Sequence, residues 1–103
     1  MTSRLIPANA RPKISPRARL QTDKLTGKPV LLYPEGALML NPTGHAIVSL
    51  CTGEATFHRI VSILSERYRV SAQQIGPEVT NYLNRLRSRN LLELIEQPEA
   101  GET

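Results

Sequence analysis

An α+β fold, a three-stranded antiparallel sheet followed by three helices, is what this sequence predicts, and three observations predict it. Two apolar runs of strand length, Val30 to Tyr33 and Ala37 to Leu40, are parted only by Pro34, Glu35 and Gly36, which fix φ at the proline and free it at the glycine, as a turn requires. Asn41 and Pro42 then stand together: a side-chain oxygen for the orphan N–H groups of a helix, and a proline at the first helical position, where its missing donor costs nothing. Beyond them the apolar residues recur at helical rather than strand spacing.

In chain order, Met1 to Pro16 has prolines, scattered basic residues and no periodicity, the composition of a flexible leader or linker. Arg17 to Asp23 alternates Arg17, Arg19 and Gln21 with Ala18, Leu20 and Thr22, the period of a first strand with one wet face. Lys24 to Lys28, with Thr26 and Gly27, makes the turn into Val30 to Tyr33, whose unbroken apolar run fits a middle strand. Ala37 to Leu40 is then a third strand at the edge of a meander. The first helix covers about 42 to 51, its stripe formed by Ala46, Ile47, Leu50 and Cys51 and its end closed by Gly53, where a left-handed residue is needed. Thr56 caps a second helix carrying Phe57, Ile60, Val61, Leu64 and Tyr68 on one face. Ser71 starts a lead-in turn, and Pro77 is best tolerated where regular helix begins, so the third helix is placed near 77 to 89. Val79, Tyr82, Leu83 and Leu86 line one of its faces, Asn90 is a left-handed cap, and Leu91, Leu92, Leu94 and Ile95 pack an exit strand or turn.

A chain of 103 residues builds one small domain around one core. The domain is expected over 17–96, with 97–103 an acidic, disordered tail. Aromatic residues are few, namely Tyr33, Phe57, Tyr68 and Tyr82, so the core is aliphatic. A single cysteine, Cys51, cannot close an internal disulfide and fits a reducing compartment, with the cytoplasm as the expected location. No apolar run approaches the roughly 20 residues of a membrane helix, and the first dozen residues lack the apolar core of a secretory signal.

Catalysis finds little footing, because acid-base or nucleophilic chemistry needs convergent polar groups in a concave site. His45, Cys51 and His58 match none of the usual zinc spacings, and Gly27, Gly36, Gly44 and Gly53 are scattered rather than clustered as a phosphate cradle. The net charge of +4 and pI near 9.7 admit acidic partners. One basic block, Arg11, Lys13, Arg17 and Arg19, lies in the lead-in; another, Arg85, Arg87 and Arg89, lies in the last helical turns, where the helix dipole favours cations. A basic three-helix domain with a hairpin is also the plan of winged-helix DNA readers. Their recognition helix leads with base-reading side chains, whereas the third helix is expected to lead with Gly76, Pro77, Glu78 and Val79. Nucleic-acid binding is therefore the alternative and not the preferred reading.

The preferred reading is peptide binding. An edge strand presents unpaired N–H and C=O groups, and Ala37, Leu38, Met39 and Leu40 carry neither lysine nor proline, the usual devices that protect an edge. A ligand adding as a strand there takes affinity from main-chain hydrogen bonds and specificity from neighbouring side chains. Val79, Tyr82, Leu83 and Leu86 are the expected apolar neighbours. An open edge also permits a strand-exchanged dimer beside the monomer.

The run LYPEGALMLNPTGHAIVSLCTGE, Leu32 to Glu54, followed by Thr56, Ile60 and Val61, resembles the PqqD family of pyrroloquinoline quinone (PQQ) biosynthesis, and the resemblance extends from about Arg17 to Ile95. It implies a winged-helix arrangement of the sheet and helices, similar to the recognition domains of ribosomal peptide modification. It also implies the ligand, the precursor peptide PqqA, and a partner, the radical S-adenosylmethionine enzyme PqqE. In related domains the peptide lies antiparallel to the third strand and against the third helix, which corresponds here to Ala37–Leu40 and the Val79 to Leu86 face. Members of the family also occur fused behind PqqC, so the Pro-rich start is the expected position of a linker. The resemblance implies no cofactor for this domain, since the enzyme's iron-sulfur chemistry needs cysteine clusters.

Overall fold

The computed structural model describes residues 5–95, which run β1 (Arg11–Ile14), β2 (Arg19–Thr22), β3 (Pro29–Tyr33), β4 (Gly36–Met39), α1 (Pro42–Leu50), α2 (Phe57–Tyr68), α3 (Ala72–Ser88) and β5 (Leu92–Ile95). The expected acidic tail at 97–103 lies outside the described residues, as does the start of the leader. Strands β2, β3 and β4 form the antiparallel meander in that order, and β1 pairs with β5 in a separate two-stranded ribbon.

The meander is built around β3, whose Val30 and Leu31 are buried. Its partner β2 departs from the expected pattern of one wet face, because all four residues are exposed and Leu20 keeps 40% of its surface in water. The strand's main contacts are with β3 alone, so neither face is covered. Asp23 organises the turn that follows: its carboxylate accepts from Leu25 N–H and Thr26 Oγ1, its carbonyl accepts from Gly27 N–H, and Gly27 takes φ +72°.

Each helix begins with a side-chain cap. Asn41 Oδ1 accepts from Gly44 N–H at 2.7 Å, Thr56 Oγ1 from Arg59 N–H at 3.1 Å and Ser71 Oγ from Gln74 N–H at 3.0 Å, each satisfying a donor that the first turn leaves open. The Ser71 cap corrects the expected start of the third helix: α3 begins at Ala72, and Pro77 lies inside it. The missing proline donor affects only the carbonyl of Gln73, which is exposed and open to water, while Ile75 at 5% exposure anchors the first turn to the core. At the far end Asn90 takes φ 59°, the expected left-handed cap.

The leader is also corrected. Instead of a flexible segment to Pro16, the chain is anchored on the domain from Ile6 onward, with Ile6, Ala10 and Pro12 buried. The carbonyls of Ala10 and Ala8 accept from Phe57 and His58 N–H at 2.7 and 3.0 Å, capping the first two free donors of α2. Ile14 N–H reaches Cys51 O, Gly53 N–H reaches Pro12 O, and Ser15 N–H reaches Leu91 O. Strand β1 is therefore held by β5 on one side and by the α1–α2 loop on the other. The core these elements enclose is aliphatic: Leu31, Ile47, Ile60, Leu64, Leu83, Leu86 and Leu91 are fully buried. Truncating such a residue to alanine costs about 2–5 kcal/mol.

Candidate functional site

Strand β4 pairs with β3 on one side only, and the ladder fixes which of its backbone groups face outward. Leu40 N–H donates to Pro29 O at 3.2 Å, and the register continues through Val30 with Met39, Leu31 with Leu38, and Leu32 with Ala37. In an antiparallel pair, residues alternate between turning both N–H and C=O toward the partner and turning both away. Leu40 and Leu38 therefore bond β3, while Met39 and Ala37 direct their N–H and C=O groups to the open edge. The opposite hairpin has the same parity: Asp23 N–H bonds Lys28 O, and Gln21 lies against Val30.

The two open edges of the meander differ in their surroundings. Beyond the end of β4, Met39, Leu40, Asn41, Pro42 and His45, with Lys28 and Pro29 from across the sheet, line a groove of about 810 Å³. Met39 is 52% exposed and Ala37 is exposed, whereas Leu38 is half-buried and Leu40 is buried. The edge thus offers two outward backbone positions beside an apolar groove. Asn41, Pro42 and His45 carry signals of helix start in the sequence, which is why their second role as groove lining does not show there.

The four expected helix-three residues do not act together. Val79, Leu83 and Leu86 are fully buried and belong to the core, so they offer no surface to a ligand. Their shared periodicity is that of the buried stripe against α2 and β5. Tyr82 alone is half-exposed. Its ring lies across α1 at Gly44, where a Cβ atom would sit 2.6 Å from Tyr82 Oη, 2.8 Å from Cζ and 3.1 Å from Asn41 Oδ1. Gly44 is thus the residue that lets Tyr82 reach the start of α1. The Arg85 guanidinium stands over the Tyr82 ring, 5.8 Å from its centre, within the range of a cation–π contact. Burial raises the Tyr82 phenol above its ordinary 10.0, opposed by Arg85, reinforced by Cys51 and opposed by Arg89.

Cys51 does not belong to this site. Its Sγ donates to Ile47 O at 3.2 Å, and burial pushes its thiol from 9.0 up to about 12, so it stays protonated and inert at neutral pH. Among the described residues no three His, Cys, Asp or Glu side chains are grouped to hold a metal ion. None of the described helices is long and apolar enough to cross a membrane.

Fold and edge together define a winged-helix-like α+β domain with an open strand beside a groove, and this is the architecture that comparison returns. The model of the family Coenzyme PQQ synthesis protein D (PqqD) matches residues 29–92. A "PqqA binding protein" of Rhizobium meliloti is 30% identical over 82% of this chain and 86% of its own. Another, of Methylococcus capsulatus, is 38% identical over 69% and 74%. Among solved structures, the PqqD truncation of Methylobacterium extorquens PqqCD, described as a functional, stand-alone recognition element for ribosomally synthesized and post-translationally modified peptides, superposes with a TM-score of 0.68 at 29% identity, covering 80% of this chain and 87% of that one. PqqD from Xanthomonas campestris follows with a TM-score of 0.55 at 25% identity, covering 79% and 90%. The chain belongs to the PqqD family.

Proposed function

We propose that this chain is a non-catalytic chaperone of PQQ biosynthesis that binds the precursor peptide PqqA as an added strand on β4 and presents it to the radical S-adenosylmethionine enzyme PqqE in the cytoplasm. The observation that carries the reading is the pair of outward-facing backbone positions at Ala37 and Met39, on an edge continuous with the Met39–His45 groove. Main-chain pairing supplies affinity there, and the groove supplies a place for side chains. Relatives named for PqqA binding and the recognition-element fold support it. The contribution expected of α3 narrows to Tyr82, with Val79, Leu83 and Leu86 holding the helix that carries it.

Proline replacement tests the edge. At Met39 proline removes an outward donor and restricts Leu38 to the extended conformation it already has. Met39→Pro keeps its helical circular dichroism and loses affinity for synthetic PqqA relative to Met39→Ala. Leu38→Pro instead removes a donor used by β3 and damages the sheet. A folded Met39→Pro variant that binds PqqA as the parent does would sink the proposal.

One observation favours a second reading. The corrected start of α3 exposes Gln73 and Gln74 in its first turn, residue types that read base edges. Duplex affinity falling as steeply with salt as the release of many counterions demands, with no peptide affinity, would transfer the function to nucleic acid.

A further inference from the structure

We propose that Tyr82 and Arg85 on α3, with Arg89 at its C-cap, form the subsite for a carboxylate side chain of the bound precursor peptide. The inference rests on strand addition at β4 and extends it from the backbone to one feature of the peptide's sequence.

Tyr82 and Arg85 lie three apart on one face of α3, and Arg89 follows four residues after Arg85 as the C-cap of the helix. That face is continuous with the open edge. Asn41 lines the groove at the end of β4, its Oδ1 holds Gly44 N–H, and Tyr82 Oη lies against Gly44. Arg85 stands over the Tyr82 ring, 5.8 Å from its centre, and the charges of Arg85 and Arg89 both act to lower the Tyr82 phenol against the effect of burial. A peptide that runs along β4 past Met39 meets the start of α1, then Tyr82, then the guanidinium groups.

The charge there is unanswered. Among the described residues the only ion pair joins Arg17 to Glu35 at 2.7 Å, and no carboxylate stands three or four residues from Arg85 in α3. Helix-dipole stabilisation accounts for basic residues in the last turn but is indifferent to which face they occupy. Arg87, on a different face, is held by Asn84 Oδ1 at 3.1 Å. Arg85 is held on an aromatic ring instead, which keeps the planar guanidinium in place while leaving its N–H edge free, the geometry for a bidentate carboxylate. A point charge such as a lone lysine would not be oriented this way. For a peptide antiparallel to β4, the recognised carboxylate lies on the N-terminal side of its paired residues.

The test is a double-mutant cycle on the full chain, with labelled synthetic PqqA followed by fluorescence anisotropy. Each Asp and Glu of the peptide is replaced in turn by its amide. In the parent, one replacement weakens binding about five- to tenfold, the size expected of a partly desolvated charged contact. Arg85→Gln/Arg89→Gln weakens the unmodified peptide by a similar factor, and against that variant the same peptide replacement has no further effect. Equal effects of every peptide replacement in parent and variant would overturn the assignment, as would parent-like affinity of the variant. If the variant loses only duplex DNA binding, the ligand is phosphate and the proposal fails. Met39→Pro separates the two levels: parent-like binding by Met39→Pro removes strand addition itself, whereas loss with Met39→Pro and none with Arg85→Gln/Arg89→Gln removes only the α3 subsite.

Discussion

Replacing Gly44 with alanine sets two effects against each other whose signs the structure separates. Alanine in place of glycine favours a helix by roughly 0.5–1 kcal/mol. The new methyl, however, would lie 2.6 Å from Tyr82 Oη and 2.8 Å from Cζ, closer than non-bonded atoms approach, so the ring has to leave. Because Tyr82 is half-exposed, it can swing outward rather than force the backbone apart, and the loss is its packing, about 1–3 kcal/mol as for other overpacked sites. The net expectation for Gly44→Ala is destabilisation of about 1 kcal/mol, or some 4–8 °C in Tm for a domain of this size. In a Tyr82→Ala background the main obstruction is gone and only Asn41 Oδ1, 3.1 Å from the new methyl, has to give by a few tenths of an ångström, so the same substitution turns from destabilising to neutral or stabilising, by at most roughly 0.5–1 kcal/mol. Thermal and urea unfolding of the four proteins in this cycle measure both. If Gly44→Ala has the same sign and size in both backgrounds, the close approach of Tyr82 to α1 is wrong, and with it the continuity between the β4 groove and α3.

Two further outcomes follow from single residues. Burial raises the Cys51 thiol from 9.0 to about 12, so above pH 9 the native state holds a proton that the unfolded chain releases. Stability contributed by Cys51 is therefore complete below pH 9 and is lost toward pH 12, at up to about 1.4 kcal/mol per pH unit; the difference in unfolding free energy between parent and Cys51→Ala, followed from pH 8 to 11, shows this slope or refutes it. Arg69 closes α2 in the left-handed region at φ 55°, where glycine carries no steric penalty, so Arg69→Gly raises stability by about 0.5–1 kcal/mol in urea melts, and a lower midpoint would contradict that.

What the sequence reveals and what it hides divide along the range of the interactions. The β3–β4 hairpin and the caps at Asn41 and Thr56 are local, and the residues that form them stand side by side in the chain. Strand β1 is not legible because its partners, Cys51, Gly53 and β5, lie far along the chain, and the four residues from Arg11 to Ile14, a proline among them, are too short a run to mark a strand. Pro77 misled the start of α3 because the cost of a helical proline depends on whether the orphaned carbonyl is buried, and that of Gln73 is not. At the site, periodicity placed Val79, Tyr82, Leu83 and Leu86 on one face but could not say how far round the helix the core extends; the boundary falls between Tyr82 and the other three. The outward N–H groups of β4 were beyond reach for a different reason. They depend on ladder parity, which the bond from Leu40 to Pro29 sets.

That parity gives the most direct test of strand addition. Amide hydrogen exchange of the isotope-labelled full chain, followed by NMR without and with saturating PqqA, reads every donor of β4 separately. Without peptide, Leu38 and Leu40 exchange slowly, because their N–H groups bond β3, while Ala37 and Met39 exchange quickly. With peptide, Ala37 and Met39 become slow while the open donors of β2, at Leu20 and Thr22, remain fast. Unchanged exchange at Ala37 and Met39 in a complex that demonstrably forms, or protection that appears at Leu20 and Thr22 instead, contradicts the account.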